Sequence, residues 1–98
     1  MRIITRKRIT EFSDKHPNVK SALESWYFIM NKTDYNSLNE LKRTFPSVDR
    51  IQNLFVFNIG GNKARLVAAV HFNTKMVFFR QILTHSEYDK EKWKKDLK

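Results

Sequence analysis

The sequence predicts an α+β fold in which an N-terminal strand and several helices pack on one face of an antiparallel sheet. Two observations carry that expectation. Apolar residues between positions 9 and 45 recur at spacings of three and four, the period of helices with one buried stripe; from Leu54 to Leu83 they recur at every second position, the period of strands. No internal repeat or low-complexity linker interrupts the order strand, helices, strands, which suits helices gathered on one side of a sheet. With 98 residues there is room for one modest core, so residues 1–98 are expected to form a single domain.

Taken in order, the stretch RIIT at 2–5 is short and β-branched, and Lys7 and Arg8 follow it closely. It suits a first strand that hands over to a helix carrying Ile9 and Phe12. Pro17 sits where the first turn of a helix tolerates it, and Val19, Leu23, Trp26 and Met30 follow at spacings of four, three and four. Ser37 stands three residues before Glu40, a capping-box pattern, with Leu38, Leu41 and Phe45 as the apolar face and Pro46 as the stop. Beyond it, GG at 60–61 and NTK at 73–75 divide the period-two region into a three-stranded meander. The basic end, DKEKWKKDLK, reads as a short helix or a frayed terminus.

Strand parity then sorts the side chains. In KARLVAAVHF the even positions Ala64, Leu66, Ala68, Val70 and Phe72 are apolar, while Lys63, Arg65 and His71 are odd. The even face is the expected core. A two-residue turn at Gly60-Gly61 pairs Ile59 with Asn62, Phe57 with Ala64 and Phe55 with Leu66, and sets Asn58 opposite Lys63. Keeping the faces separate in the next hairpin pairs Phe72 with Val77 and Val70 with Phe79, since a one-residue slip would exchange them. Arg80 then falls opposite Ala69 and Thr84 opposite Arg65. Asn58, Lys63, Arg65, His71 and Arg80 share the second face, and THSEYD starts beside Arg65, with His85 and Tyr88 on one side of a helical turn.

Charge narrows the class of partner. Nineteen Lys and Arg against ten Asp and Glu leave a net charge of +9, a strong field that draws nucleic acid, an acidic protein or an anionic membrane surface. No apolar run approaches the ~20 residues of a spanning helix and the N-terminal stretch has no signal-peptide core, so the expected location is cytoplasmic, with no membrane partner. Cysteine is absent, which removes disulfide and thiolate chemistry. Carboxylates are scattered singly and no His-x-x-x-His occurs, so neither a metal nor another cofactor is expected. GGN joins two strands instead of opening a helix, unlike a phosphate loop.

Cleavage of RNA by its own 2′-hydroxyl needs a group to take that proton, a group to protonate the leaving 5′-oxygen, and cations for the charge on phosphorus-bound oxygen. His85, Tyr88, Arg65 and Lys63 match those roles, and Arg80 lines the same groove farther along the ladder. Imidazoles ordinarily titrate near pKa ~6.5 and phenols near ~10, which favours the imidazole as base. A structural reading stands beside this one. In it His85 caps a strand end, Tyr88 packs on the helices, and Arg65 and Arg80 belong to a solvated face with partial salt bridges to Glu87 or Asp89. His16 and His71 are expected to be ordinary surface or structural residues, and the lysines of the tail either solvate the chain end or hold phosphates.

At HP (16–17), VFNIGGNKARLVAAVHF (56–72) and ILTHSEYDK (82–90) the sequence resembles the HigB-type toxins of bacterial toxin-antitoxin systems, within the RelE-like superfamily. The resemblance runs through almost the whole chain. It implies a RelE-like α+β fold and a metal-independent endoribonuclease, an mRNA interferase that cuts mRNA on the ribosome and so inhibits translation. It further implies neutralisation by a HigA-like helix-turn-helix antitoxin, with operator DNA reached only through that antitoxin. Carried onto this chain, the implied catalytic residues are Lys63, Arg65, Arg80, His85 and Tyr88, with Asn58, Asn62, Asp89, Lys90, Lys94 and Lys95 as RNA-binding residues. Ala64 departs from the family, where an aromatic is familiar. A ParE-like toxin acting on gyrase, or a non-catalytic basic RNA-binding module, are the alternative readings.

Overall fold

A computed structural model describes residues 1–4, 7–61 and 63–90. Along these residues the chain forms strand β1 (Arg2–Ile4), helix α1 (Lys7–Lys15), a 3-10 turn (Pro17–Val19) and helix α2 (Lys20–Lys32). Helix α3 (Leu38–Thr44) follows, then strands β2 (Asp49–Ile51), β3 (Leu54–Ile59), β4 (Ala64–His71) and β5 (Met76–Thr84), and helix α4 (His85–Asp89). The class is α+β, as expected. The strands form one mixed sheet in the order β1-β5-β4-β3-β2, with β1 parallel to β5 and every other pair antiparallel. The meander is therefore the centre of a five-stranded sheet. Strand β2 escapes a periodicity search because it has three residues, two of them charged and exposed.

Helices α1 to α3 cover one face, where the main core lies. Val19, Leu23, Trp26 and Met30, the stripe read from spacing, are all buried there together with Ile9 and Leu41. Trp26 meets Phe57 edge-on at 5.4 Å between ring centroids, and Phe45 does so at 5.3 Å, an arrangement favoured by the ring quadrupoles. Ser37 caps α3 by accepting from the Glu40 N–H at 3.3 Å. The α-amino group of Met1 donates to the carbonyls of Met30 and Thr33 at 2.9 and 2.8 Å, satisfying acceptors at the end of α2 that the helix leaves open.

The strand faces follow the sequence parity, but the register differs by two residues. Ile59 pairs with Ala64, Phe57 with Leu66 and Phe55 with Ala68, so the connection is the four-residue segment 60–63, not a two-residue turn. Asn58 lies opposite Arg65 instead of Lys63. A shift of two leaves every side chain on its own face. The observed register matches buried residues with buried residues, whereas the expected one would have set Ile59 against a polar asparagine. Gly60 and Gly61 take φ of +62° and +70°, the left-handed region in which a side chain is strained.

The second hairpin is shifted likewise: Val70 pairs with Val77 and Ala68 with Phe79. Phe72 is left in the turn, where it meets Phe55 edge-on at 5.7 Å. A β-bulge then intervenes, because Val67 pairs with Gln81 and leaves Arg80 as the extra residue. The shift of two already places Phe78 opposite Ala69, and the bulge then leaves Arg80 without a partner in the ladder. Beyond the bulge Leu66 pairs with Ile82, Arg65 with Leu83 and Ala64 with Thr84, so the core positions of β5 change from odd to even. Apolar residues at 77, 79 and 82 carry that phase change in the sequence itself.

The second face is not a solvated one. Leu54, Val56 and Val67 form their own buried cluster there, packed by Ile51, Ala69, Leu83 and Tyr88. Tyr88 thus lies across the sheet from α1 to α3 and does not pack on them. It comes from α4, which begins in a full capping box: Thr84 Oγ1 accepts from the Glu87 N–H at 3.2 Å, and the Glu87 carboxylate accepts from the Thr84 N–H at 2.9 Å. That N–H first, and the Thr84 hydroxyl and nearby positive charges after it, hold the Glu87 carboxyl below its ordinary value of 4.5 against an opposing effect of burial.

Two outcomes are expected. Leu66→Asp and Val67→Asp should both fail to fold, although parity alone would assign Val67 to solvent, since each buries an unpaired carboxylate at a cost of roughly 3 kcal/mol or more; urea melts of the two variants check this, and a stable Val67→Asp would contradict the second buried face. For α4, Thr84→Ala should cost about 1 kcal/mol of local stability, read as lost protection of the α4 amides from exchange. Because the folded Glu87 carboxyl is lowered, its stabilising effect is complete above its ordinary value and is lost as pH falls through its folded value. Protection of α4 should fall with acid in the wild type, and that acid step should be absent in Glu87→Gln.

Candidate active site

The site is built where the first turn of α4 returns to the start of β4. Strand parity turns Arg65 away from the main core, yet the second apolar cluster and α4 close around it, and only 8% of it remains exposed. A guanidinium in that position stays charged and must find acceptors for its donors. Arg65 Nη1 donates to the Gly61 carbonyl at 3.3 Å and to the Ala64 carbonyl at 3.1 Å. Its Nη2 lies 3.4 Å from Nδ1 of His85, and its central carbon sits 5.7 Å from the centroid of the Tyr88 ring, within cation–π range.

His85 is the first residue of α4. Its backbone N–H, one of the donors a helix start leaves open, is taken by the Lys63 carbonyl at 3.2 Å, which ties the helix to the hairpin. One turn later Asp89 Oδ2 lies 3.1 Å from Nε2 of the imidazole. Both ring nitrogens are therefore engaged, one with a cation and one with a carboxylate. Since a guanidinium only donates, Nδ1 must present its lone pair to Arg65, and the proton of the neutral ring resides on Nε2, facing Asp89. The arrangement is a linear one of guanidinium, imidazole and carboxylate, with a phenol ring over the cation.

Of the residues expected at the site, the fold brings together Arg65, His85, Tyr88 and Asp89. Asp89 reaches the imidazole at Nε2, the nitrogen that Arg65 does not approach. Lys63 supplies a carbonyl to the site while its side chain reaches away, with Nζ 3.5 Å from the Asn18 carbonyl. Arg80 is separated from the cluster by the bulge and lies exposed beside α1. Asn58 is exposed next to Arg65 on the neighbouring strand, and Lys90 is exposed at the end of α4. Asn62, Lys94 and Lys95 lie outside the described residues. Ala64 is fully buried in the core opposite Thr84, so no base stacks on it. His71 stands at the far end of β4 against Phe78, and His16 stacks on Phe12. The capping pair Thr84 and Glu87 was missed as a positioning element, though T-x-x-E in THSE announces it. Among the described residues no group of three or more His, Asp or Glu could hold a metal ion.

Comparison with known proteins identifies the family. A family model described as HigB_toxin, the RelE-like toxic component of a toxin-antitoxin system, matches residues 19–91, which include all of β2 to β5 and α4. The "mRNA interferase HigB" of Escherichia coli O6:H1 is 34% identical over 93 residues, covering 92% of this chain and 90% of the relative. The "mRNA interferase toxin HigB" of Escherichia coli K12 is 36% identical over 92 residues, covering 91% and 88%, and the "mRNA interferase HigB" of Shigella flexneri gives the same figures. Identity of that degree across nearly the full length of both partners, on a chain whose sheet and terminal helix converge on one cluster, means that this protein belongs to the HigB family of RelE-like toxins.

Proposed function

We propose that this chain is the toxin of a toxin-antitoxin pair and an endoribonuclease that cuts mRNA, and that Arg65, His85, Tyr88 and Asp89 carry the cleavage. The single observation behind the assignment of residues is the 3.4 Å approach of the buried Arg65 guanidinium to Nδ1 of His85. A cation there serves two purposes. Before substrate binds, it occupies the Nδ1 lone pair; when it turns to the scissile phosphate, it releases that lone pair next to the group that needs a base.

In this reading the O2′ atom of the RNA attacks phosphorus, and its proton passes to Nδ1 of His85. The O2′–P bond forms and the P–O5′ bond breaks, with the Tyr88 phenol supplying the proton that the departing 5′-oxygen requires. Arg65 stabilises the added charge on the phosphorane-like transition state from a site that is already desolvated. Asp89 holds Nε2–H and stabilises the imidazolium as it forms. The products are a 2′,3′-cyclic phosphate and a 5′-hydroxyl. No metal ion is required by these steps. Neutralisation by a HigA-like helix-turn-helix antitoxin, action on ribosome-bound mRNA and a cytoplasmic setting complete the proposal; no described helix is long and apolar enough to cross a membrane.

Arg65→Ala and His85→Ala should each lower cleavage by about 10²-fold or more, as measured by mapping transcript ends after brief induction. Arg65→Lys should fail as well, because an ammonium keeps the charge but lacks the planar fork. A transcript with one 2′-deoxy residue immediately 5′ of the mapped cut should resist cleavage there. Cleavage that survives the deoxy substitution, or ends that carry 5′-phosphate, would overturn the mechanism; DNA breaks preceding the arrest of translation would overturn the function.

A further inference from the structure

The bulge that removes Arg80 from the catalytic cluster gives it a different setting. Among the described residues, strand β1 pairs with β5 only from Met76 to Phe78, and no described strand flanks the later part of β5 on that side. Helix α1 runs past this edge and leaves a groove whose charged lining, among the described residues, is Arg8, Lys15, Arg80 and the carboxylate of Glu11. All four are exposed. The groove's floor includes Phe12, on which His16 stacks with 4.2 Å between ring centroids. One end of the groove is at Leu83, which pairs with Arg65 across the ladder and packs in the same cluster as Tyr88. His16, at the end of α1, lies near enough to Glu87 of α4 for its charge to act on that carboxylate. Leu83 is thus shared by the groove and by the cluster that holds Tyr88.

We infer that the α1–β5 groove is the track for the single-stranded RNA that flanks the scissile phosphate, with Arg8, Lys15 and Arg80 as its phosphate contacts and the Phe12–His16 pair as a platform for a base. The inference rests on the reading of Arg65 and His85 given above. Its grounds are charge complementarity and chemistry. Among the described lining residues three cations against one carboxylate suit a polyanion, and cations interleaved with ring faces are what single strands require, since phosphates are neutralised while bases stack without regard to sequence. A peptide strand added to the same edge is disfavoured. Nη1 of Arg8 already donates to the Arg80 carbonyl at 3.0 Å, so one of the acceptors that an incoming strand would use is taken, and α1 overhangs the rest.

The test compares fluorescein-labelled RNAs made uncleavable by one 2′-deoxy residue at the cut: a three-nucleotide core, and the same core extended by four nucleotides on its 5′ or 3′ side. Extension on one side should tighten binding to the wild-type protein by about tenfold. Lys15→Ala and Arg80→Ala should each erase most of that gain while binding the core as the wild type does, and each should reduce the salt dependence of binding by about one phosphate contact. Phe12→Leu, which keeps an apolar residue at the core's margin, should weaken the extended RNA alone. If neither extension tightens binding, or if the gain persists in Lys15→Ala and Arg80→Ala, the groove is not the track. Equal RNA binding with loss of antitoxin binding in those variants would also overturn the inference and make the groove a protein surface. Failure of the catalytic reading looks different: the length-dependent gain in binding remains, but the deoxy substitution no longer protects a transcript.

Discussion

Strand β4 is buried on both faces, and the remaining elements are arranged to satisfy it. Its even residues face the core beneath α1 to α3, and Leu66 in particular has no exposed surface. On the other side Val67 is equally enclosed, at 1%, which obliges the chain to return after β5 and cover it. Helix α4 does this, with Tyr88 packed on the second cluster and a capping box that fixes where the helix begins. A strand buried on both sides resembles the strands of covered sheets more than a half-solvated antiparallel one, and it reads as a nearly continuous apolar run. The run ARLVAAV, residues 64–70, has that character, and only Arg65 breaks it.

The exception is the residue proposed as the functional centre. A guanidinium enclosed by apolar side chains costs free energy unless its donors are met, and the hairpin meets them with its own carbonyls at Gly61 and Ala64. The four-residue connection between β3 and β4 has a use here: it returns the Gly61 carbonyl toward Arg65, while the left-handed glycines make the turn without side-chain strain. Binding of phosphate would replace weak neutral acceptors with a charged one in a site already shielded from water. Interactions of that kind strengthen most where charge develops, so the burial that makes Arg65 expensive in the resting protein makes it effective during the reaction.

The β-bulge sets the basic residues of the sheet in two places. Without it Arg80 would share a face with Arg65 and face Val67, adding a second cation to the apolar cluster. One inserted residue moves it to the edge beside α1 and, in the same step, brings Ile82 into the core and Leu83 opposite Arg65. Positive charge is thereby placed both at the sheet edge and in the cluster around Arg65 instead of being concentrated at one point.

Much of this was contained in the sequence. The spacing of Val19, Leu23, Trp26 and Met30 determined the buried stripe of α2, since a period of 3.6 admits only one such face, and parity in KARLVAAVHF determined which residues of β4 face the helices. The meeting of Arg65 with His85 also followed, because a shift of two residues in register preserves both the face and the end of the ladder at which THSEYD emerges. What required the tertiary structure were quantities that local pattern does not encode. Register depended on which buried partners meet across strands, and Ile59 found Ala64 where the turn signal had suggested Asn62. Strand β2 exists only because β3 offers it an edge. Arg65 is buried and Lys63 faces Asn18 because α4 and the 3-10 turn, distant in sequence, supply the cover in one case and the acceptor in the other. Periodicity determines the direction in which a side chain leaves the backbone; what it meets there is decided by packing between elements that the chain brings together only when it folds.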